Sequence, residues 1–168
     1  ESGNVFARDL ASPMVVTVDP ALINALRNTP DSFRPRDVFD FRSFNADRLE
    51  ITRGTSTVAF EKAAGTDGAS TWKRLAPAGN VDVSAIDGLL SALSGLSVDG
   101  YVGAGVKTGA ESPVAVVTAR FDDGKKEERV VFGKAGSDVF AIRAGEPGAA
   151  RVDAAKFDEA MKALDAVA

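Results

Sequence analysis

The chain has 168 residues, a net charge of −4 and 45% hydrophobic residues. That is enough material for one ordinary domain or two small ones that share a core, and a chain of this size can bury roughly 70% of its unfolded surface without disulfides or metals. Cys and His are both absent, which excludes thiol nucleophiles, Cys–His and Ser–His–Asp triads, the usual zinc ligand sets and His-ligated haem. Lys and Arg do not cluster in excess, so a phosphate backbone is not an expected partner, and no apolar run reaches the length of a membrane span.

In chain order, "NVFAR" (Asn4 to Arg8) reads as a strand. "VDPALINAL" (Val18 to Leu26) then reads as the end of a strand followed by a helix. Asp19 is placed to cap that helix, and Pro20 takes the first helical position, where Pro is best tolerated. "NTPDSFRPRDVFDF" (Asn28 to Phe41) is a Pro-punctuated connector. Three strands are expected next, near Asp47–Arg53, Thr57–Lys62 and Thr71–Leu75, with a loop carrying Gly65 and Gly68 before the third. "VDVSAIDGLLSAL" (Val81 to Leu93) repeats the strand-end and helix pattern, with Asp82 as cap. Val98 to Pro113 shows no periodicity and reads as a mobile linking loop. Beyond it, strands are expected at Val114–Phe121, Glu127–Gly133 and Val139–Arg143. The Asp122-Asp123-Gly124 turn is a strong hairpin signal between the first two. After a turn at Gly145–Gly148, a short return strand leads to "VDAAKFDEAMKAL" (Val152 to Leu164), a third helix capped by Asp153.

The Val-Asp-helix string therefore occurs three times. The spacing from Val5 to Val18 equals that from Val139 to Val152, so residues 1–30 are expected to be the tail of a preceding repeat. The predicted fold class is α+β: duplicated βββα units with antiparallel sheets, each backed by a helix, and a leading helix from a partial repeat. The units are expected at 31–100 and 113–168, joined by a linker at 101–112. Whether the two share one sheet is left open.

Several patterns suggest chemistry and are weighed against it. Ser70 and Lys73 fit Ser-x-x-Lys, and "KTG" (Lys107 to Gly109) fits a third motif of penicillin-binding enzymes. That chemistry needs Ser and Lys one helical turn apart, whereas these flank Trp72 in an expected strand, where i and i+3 point to opposite faces. "GYVGAGVKT" resembles a phosphate-binding loop, but Val106 separates Gly105 from Lys107 and no helix follows. Asp122-Asp123 fall in a tight turn, where Asp normally bonds its own backbone, and Asp37 and Asp40 lie beside arginines as an expected surface ion-pair cluster. No catalytic, cofactor or metal residues are assigned. The strongest surface candidate is the run Phe33, Arg34, Arg36, Phe39, Phe41 and Arg42, because interfaces are enriched in aromatic residues and Arg. The competing reading is that these Phe anchor the connector on the core.

"SFRPRDVFDF", Trp72 with Leu75 and Pro77, the helix after Val81-Asp82, Gly133-Lys134 ending a strand, "VFAI" and Val152-Asp153 occur in an order that resembles a bacterial envelope-associated family, domain of unknown function 4340. The resemblance runs from about Ser32 to Leu164. "GAESP" (Gly109 to Pro113) departs from the family's usual Tyr-Gly-Leu-like element. The resemblance implies an extracytoplasmic protein, periplasmic or in the cell envelope, with a membrane anchor outside this stretch. It also implies a setting near an ABC-type transporter linked to gliding motility. The expected function is a non-catalytic scaffold or protein-binding module with a protein partner in the envelope. The alternative is a small-ligand-binding domain with a pocket between the two βββα units.

Overall fold

The computed structural model describes residues 4–64 and 70–167. The expected loop at Gly65 and Gly68 lies outside the described residues. The chain divides into two compact units, Glu1–Arg34 and Pro35–Ala168.

The larger unit is built on one nine-stranded antiparallel sheet. Its first strands are β3 (Ala46–Arg53), β4 (Ser56–Ala64), β5 (Ser70–Ala76) and the two-residue β6 (Ala78–Gly79), a meander in which each strand pairs with the next. Helix α2 (Val83–Ser94) leads to β7 (Val98–Val102). A second meander follows: β8 (Ala115–Phe121), β9 (Lys126–Ala135), β10 (Asp138–Arg143) and β11 (Ala149–Val152), closed by helix α3 (Ala154–Val167). The strand order is β6-β5-β4-β3-β8-β9-β10-β11-β7. The two meanders thus meet through antiparallel pairing of their leading strands, with Leu49 opposite Ala119 and Ile51 opposite Val117. The class is α+β with antiparallel sheets and three helices.

The strands alternate as a half-buried sheet should. Along β8, Ala115, Val117, Ala119 and Phe121 are buried, while Val116, Thr118 and Arg120 face the other way. The buried face carries both helices. Ile86, Leu89, Leu90 and Leu93 of α2 and Phe157, Ala160, Leu164 and Val167 of α3 are buried in one core with Leu49, Ile51, Phe60, Val117 and Phe132. Each of these Val, Leu, Ile and Phe side chains withdrawn from water contributes on the order of 1.5–3 kcal/mol. Both helix starts are capped: Asp82 Oδ1 accepts from Ser84 N at 2.8 Å, and Asp153 Oδ1 from Ala155 N at 2.8 Å. Arg53 of β3 pairs with Asp165 of α3 across the joined halves.

The Val98–Pro113 stretch departs from the expected mobile loop. Its first residues form β7, which pairs with β11 at the far edge of the sheet. The chain must then return to the centre of the sheet, and it does so as a packed strap on the face opposite the helices. Gly133 faces that side, and a Cβ placed on it would come within 2.2 Å of the Thr108 carbonyl oxygen. A Cβ placed on Gly109 would meet the Lys134 backbone as closely, at 2.3 Å. Backbone-to-backbone approach of this kind requires glycine and leaves no hydrophobic period to read.

The smaller unit contains β1 (Val5–Arg8) and β2 (Val15–Val18) as a hairpin, then helix α1 (Pro20–Leu26) and a 3-10 turn at Pro30–Phe33. Asp19 caps α1 as expected, accepting from Ala21 N at 2.8 Å. No residue of α1 or of the 3-10 turn is buried.

Candidate interaction surface

The Phe/Arg run does not form one surface. Phe39 and Phe41 are both 0% exposed. They alternate with exposed Asp40 along an extended segment, so both rings turn inward. The Phe39 ring lies 5.1 Å from that of Phe41 and 6.1 Å from that of Phe132, which in turn stacks 5.0 Å from Phe157 of α3. The rings nail the connector to the sheet and α3, which is the anchoring arrangement weighed for these Phe. Arg42 is equally occupied. Its guanidinium donates to the carbonyl oxygens of Phe39 (2.9 Å) and Phe41 (3.0 Å) and pairs with Asp37. Arg36 is exposed, and its carbonyl accepts from Val98 N at 2.7 Å, tying the connector to β7.

The connector is held from below by Glu128 and Arg143, two charged residues on the core side of the sheet. The Glu128 side chain is 9% exposed. Its carboxylate accepts from the backbone N–H of Asp40 and of Phe41, both at 3.0 Å. Arg143 donates to Asp40 at 2.9 Å and pairs with Glu146 at 3.2 Å and Glu128 at 3.5 Å. Burial works against the charged guanidinium, but Asp40, Glu146 and Glu128 outweigh it and hold its pKa above the ordinary value. Around these residues lies a hollow of about 430 Å³, also bordered by Lys126, Glu127 and Arg129. It is charged rather than apolar, and its most buried cation already faces three carboxylates. This is the chemistry of a structural lock.

At the hairpin tip, Asp122, Asp123 and Gly124 all have positive φ, near 57°, 58° and 71°. Asp122 does not bond its own backbone as turn aspartates usually do. Its carboxylate accepts from Asn45 Nδ2 at 2.9 Å and pairs with Lys126 at 2.8 Å. The hydrogen bond from Lys126 and then that from Asn45 hold the Asp122 carboxyl below the usual range, and Asp122 raises the Lys126 ammonium in return. Asp37 and Asp40 are exposed and each is paired with an arginine. Ser70 and Lys73 sit on β5 in unbroken register, hence on opposite faces, beyond reach of one another. The phosphate-loop-like segment is the strap, and β8 rather than a helix follows it.

Phe33 and Arg34 belong to the smaller unit. Phe33 is 62% exposed, and Arg34 is half-buried with Asp31 3.8 Å away. Phe33 has apolar company: Phe6, Leu10, Met14, Leu22 and Leu26 are exposed in the same unit. Of the twelve large apolar side chains left exposed among the described residues, eight lie in residues 4–33. The signal was in the sequence. α1 carries an apolar stripe, but among the described residues the unit has one two-stranded hairpin and no further strand or α-helix to cover it. A piece of this size cannot build a core alone. Apolar surface concentrated in this way marks a place where another element belongs.

The family described as Domain of unknown function (DUF4340) matches the chain over residues 1–113. The chain is a DUF4340 protein. The match begins earlier than the motif resemblance, which runs from Ser32 to Leu164, and so includes the apolar hairpin and α1. It ends at Pro113, before the second meander. No curated protein and no solved structure matches this DUF4340 chain.

Proposed function

We propose that this DUF4340 chain is a non-catalytic, extracytoplasmic module of a bacterial envelope assembly, acting as a scaffold or protein-binding element. The observation that carries this reading is the apolar hairpin and helix of residues 4–33, which bury nothing in α1 and expose Phe6, Leu26 and Phe33. An envelope setting beside an ABC-type transporter of the gliding-motility-linked kind is what the family resemblance implies, and a subunit of such a transporter is the partner class to test first. The two meander-plus-helix halves are copies of one βββα unit in this reading, and residues 1–30 are the tail of another. Equal cap chemistry at Asp19, Asp82 and Asp153 supports the copying.

The ligand-binding alternative is less well supported, because the hollow beside β9 is charged and its arginine is already paired. The test is photocrosslinking in the native cells from probes placed at Phe6 and Leu26, with a probe at Glu61, exposed on β4 of the larger unit, as control. Reproducible crosslinks to one envelope protein from Phe6 and Leu26, and not from Glu61, are expected. Equal labelling from all three positions, together with a small molecule retained by the purified chain, would overturn the reading.

A further inference from the structure

β1, β2 and α1 match β10, β11 and α3 residue for residue in their pairing. Val5 opposes Val18 and Ala7 opposes Val16; Val139 opposes Val152 and Ala141 opposes Ala150. The constant offset carries Asp19 onto the cap Asp153, Ile23 onto Phe157 and Leu26 onto Ala160. What differs is the surroundings. Val139, Ala141, Ala150, Val152, Phe157 and Ala160 are all buried, because β9 pairs with the free edge of β10 and α2 packs on α3. Their counterparts Val5, Ala7, Val16, Val18, Ile23 and Leu26 are none of them buried, and among the described residues β1 pairs only with β2.

We propose that the β1 edge accepts, in antiparallel register, a strand from a meander of the repeat's own type, as β10 accepts β9. This rests on the protein-binding reading above and specifies its partner. The register defines the chemistry of the incoming strand. It places a large apolar residue opposite Ala7, as Phe132 lies opposite Ala141, with a helix over Ile23 and Leu26. Main-chain hydrogen bonds provide the affinity in strand addition, and the alternate side chains set the register. A second copy of this chain is a poor donor. Its β9 is already flanked by β8 and β10, and freeing it would break the centre of the nine-stranded sheet.

The experiment uses the whole isotope-labelled chain and a synthetic hairpin peptide of residues 113–135, which carries β8 and β9. NMR titration is expected to give saturable shifts and slowed amide exchange at Val5–Arg8 and at Ile23–Leu26. Ala7→Asp and Ile23→Asp, the latter at the counterpart of Phe157 that Phe132 touches, should each weaken binding at least tenfold without moving the main melting transition, since neither position is buried in the core. Shifts at β7 or β6 instead, no shifts, or dimerisation of the chain through β1 without peptide would each overturn strand addition by a repeat-type meander. If the peptide fails while Phe6 and Leu26 still crosslink to one envelope protein in cells, only this inference falls. If both fail, the protein-binding reading falls with it.

Discussion

Asp82 shows how one side chain fixes a helix boundary. Its carboxylate accepts from Ser84 N at 2.8 Å and Ala85 N at 3.4 Å, satisfying donors that the first turn leaves open. Asp82→Ala should cost about 1 kcal/mol, read as a lower midpoint in urea with an unchanged slope. Phe39 stands at the other extreme. Truncation to Ala leaves a cavity between Phe41 and Phe132 and should cost about 3–5 kcal/mol. Loss of binding in such a variant would report unfolding, so Phe39 and Phe41 are unsuitable probes of an interface. Asp122 gives a prediction in pH. Lys126 and Asn45 hold its folded-state pKa below the unfolded value. The stabilisation is therefore whole above the ordinary carboxylate range and is lost as pH falls through the lowered value. Carboxyl NMR titration should show Asp122 rising toward the ordinary value in Lys126→Met, and a chain in which it does not move would show that the ion pair is not formed in solution.

Elements were legible where their period was strong. The three caps, the α2 and α3 stripes and the Asp-Gly hairpin all lie where pattern and turn chemistry place them, because each is a local rule satisfied locally. The strap was not legible, since its cause lies in Gly133, far along the chain and on another strand. Gly133→Ala puts a Cβ within 2.2 Å of the Thr108 oxygen. The expected result is loss of stability with faster amide exchange through residues 105–112, whereas Gly100→Ala, with open space at its Cβ, should leave exchange there unchanged. The connector's anchor likewise lies far along the chain. The ion-pair cluster of Asp37 and Asp40 with arginines is legible locally, but Glu128, far away in the chain, supplies the carboxylate that pins residues 40 and 41. Glu128→Ala leaves two backbone donors without their acceptor and removes one partner of Arg143, an expected loss of about 2–3 kcal/mol in chemical unfolding.

At the scale of the molecule, the pairing of β3 with β8 is the step that sequence could not decide. Either meander could have formed its own sheet; joining them removes one edge from each and lets one core serve both helices. That core begins at Val38 and runs to Val167, and among the described residues none of the smaller unit is in it. The exposed apolar side chains of residues 4–33 thus stand outside the core of the main fold. It follows that removing residues 1–34 should leave the cooperative melting transition of Pro35–Ala168 essentially in place, while abolishing crosslinks from the apolar hairpin and α1. Calorimetry of the truncated and full chains makes the comparison directly. If truncation collapsed the main transition, the apolar side chains of residues 4–33 would be part of the fold's own stability. They could not then be surface held for a partner, and the interface would have to be sought on the charged face of the sheet.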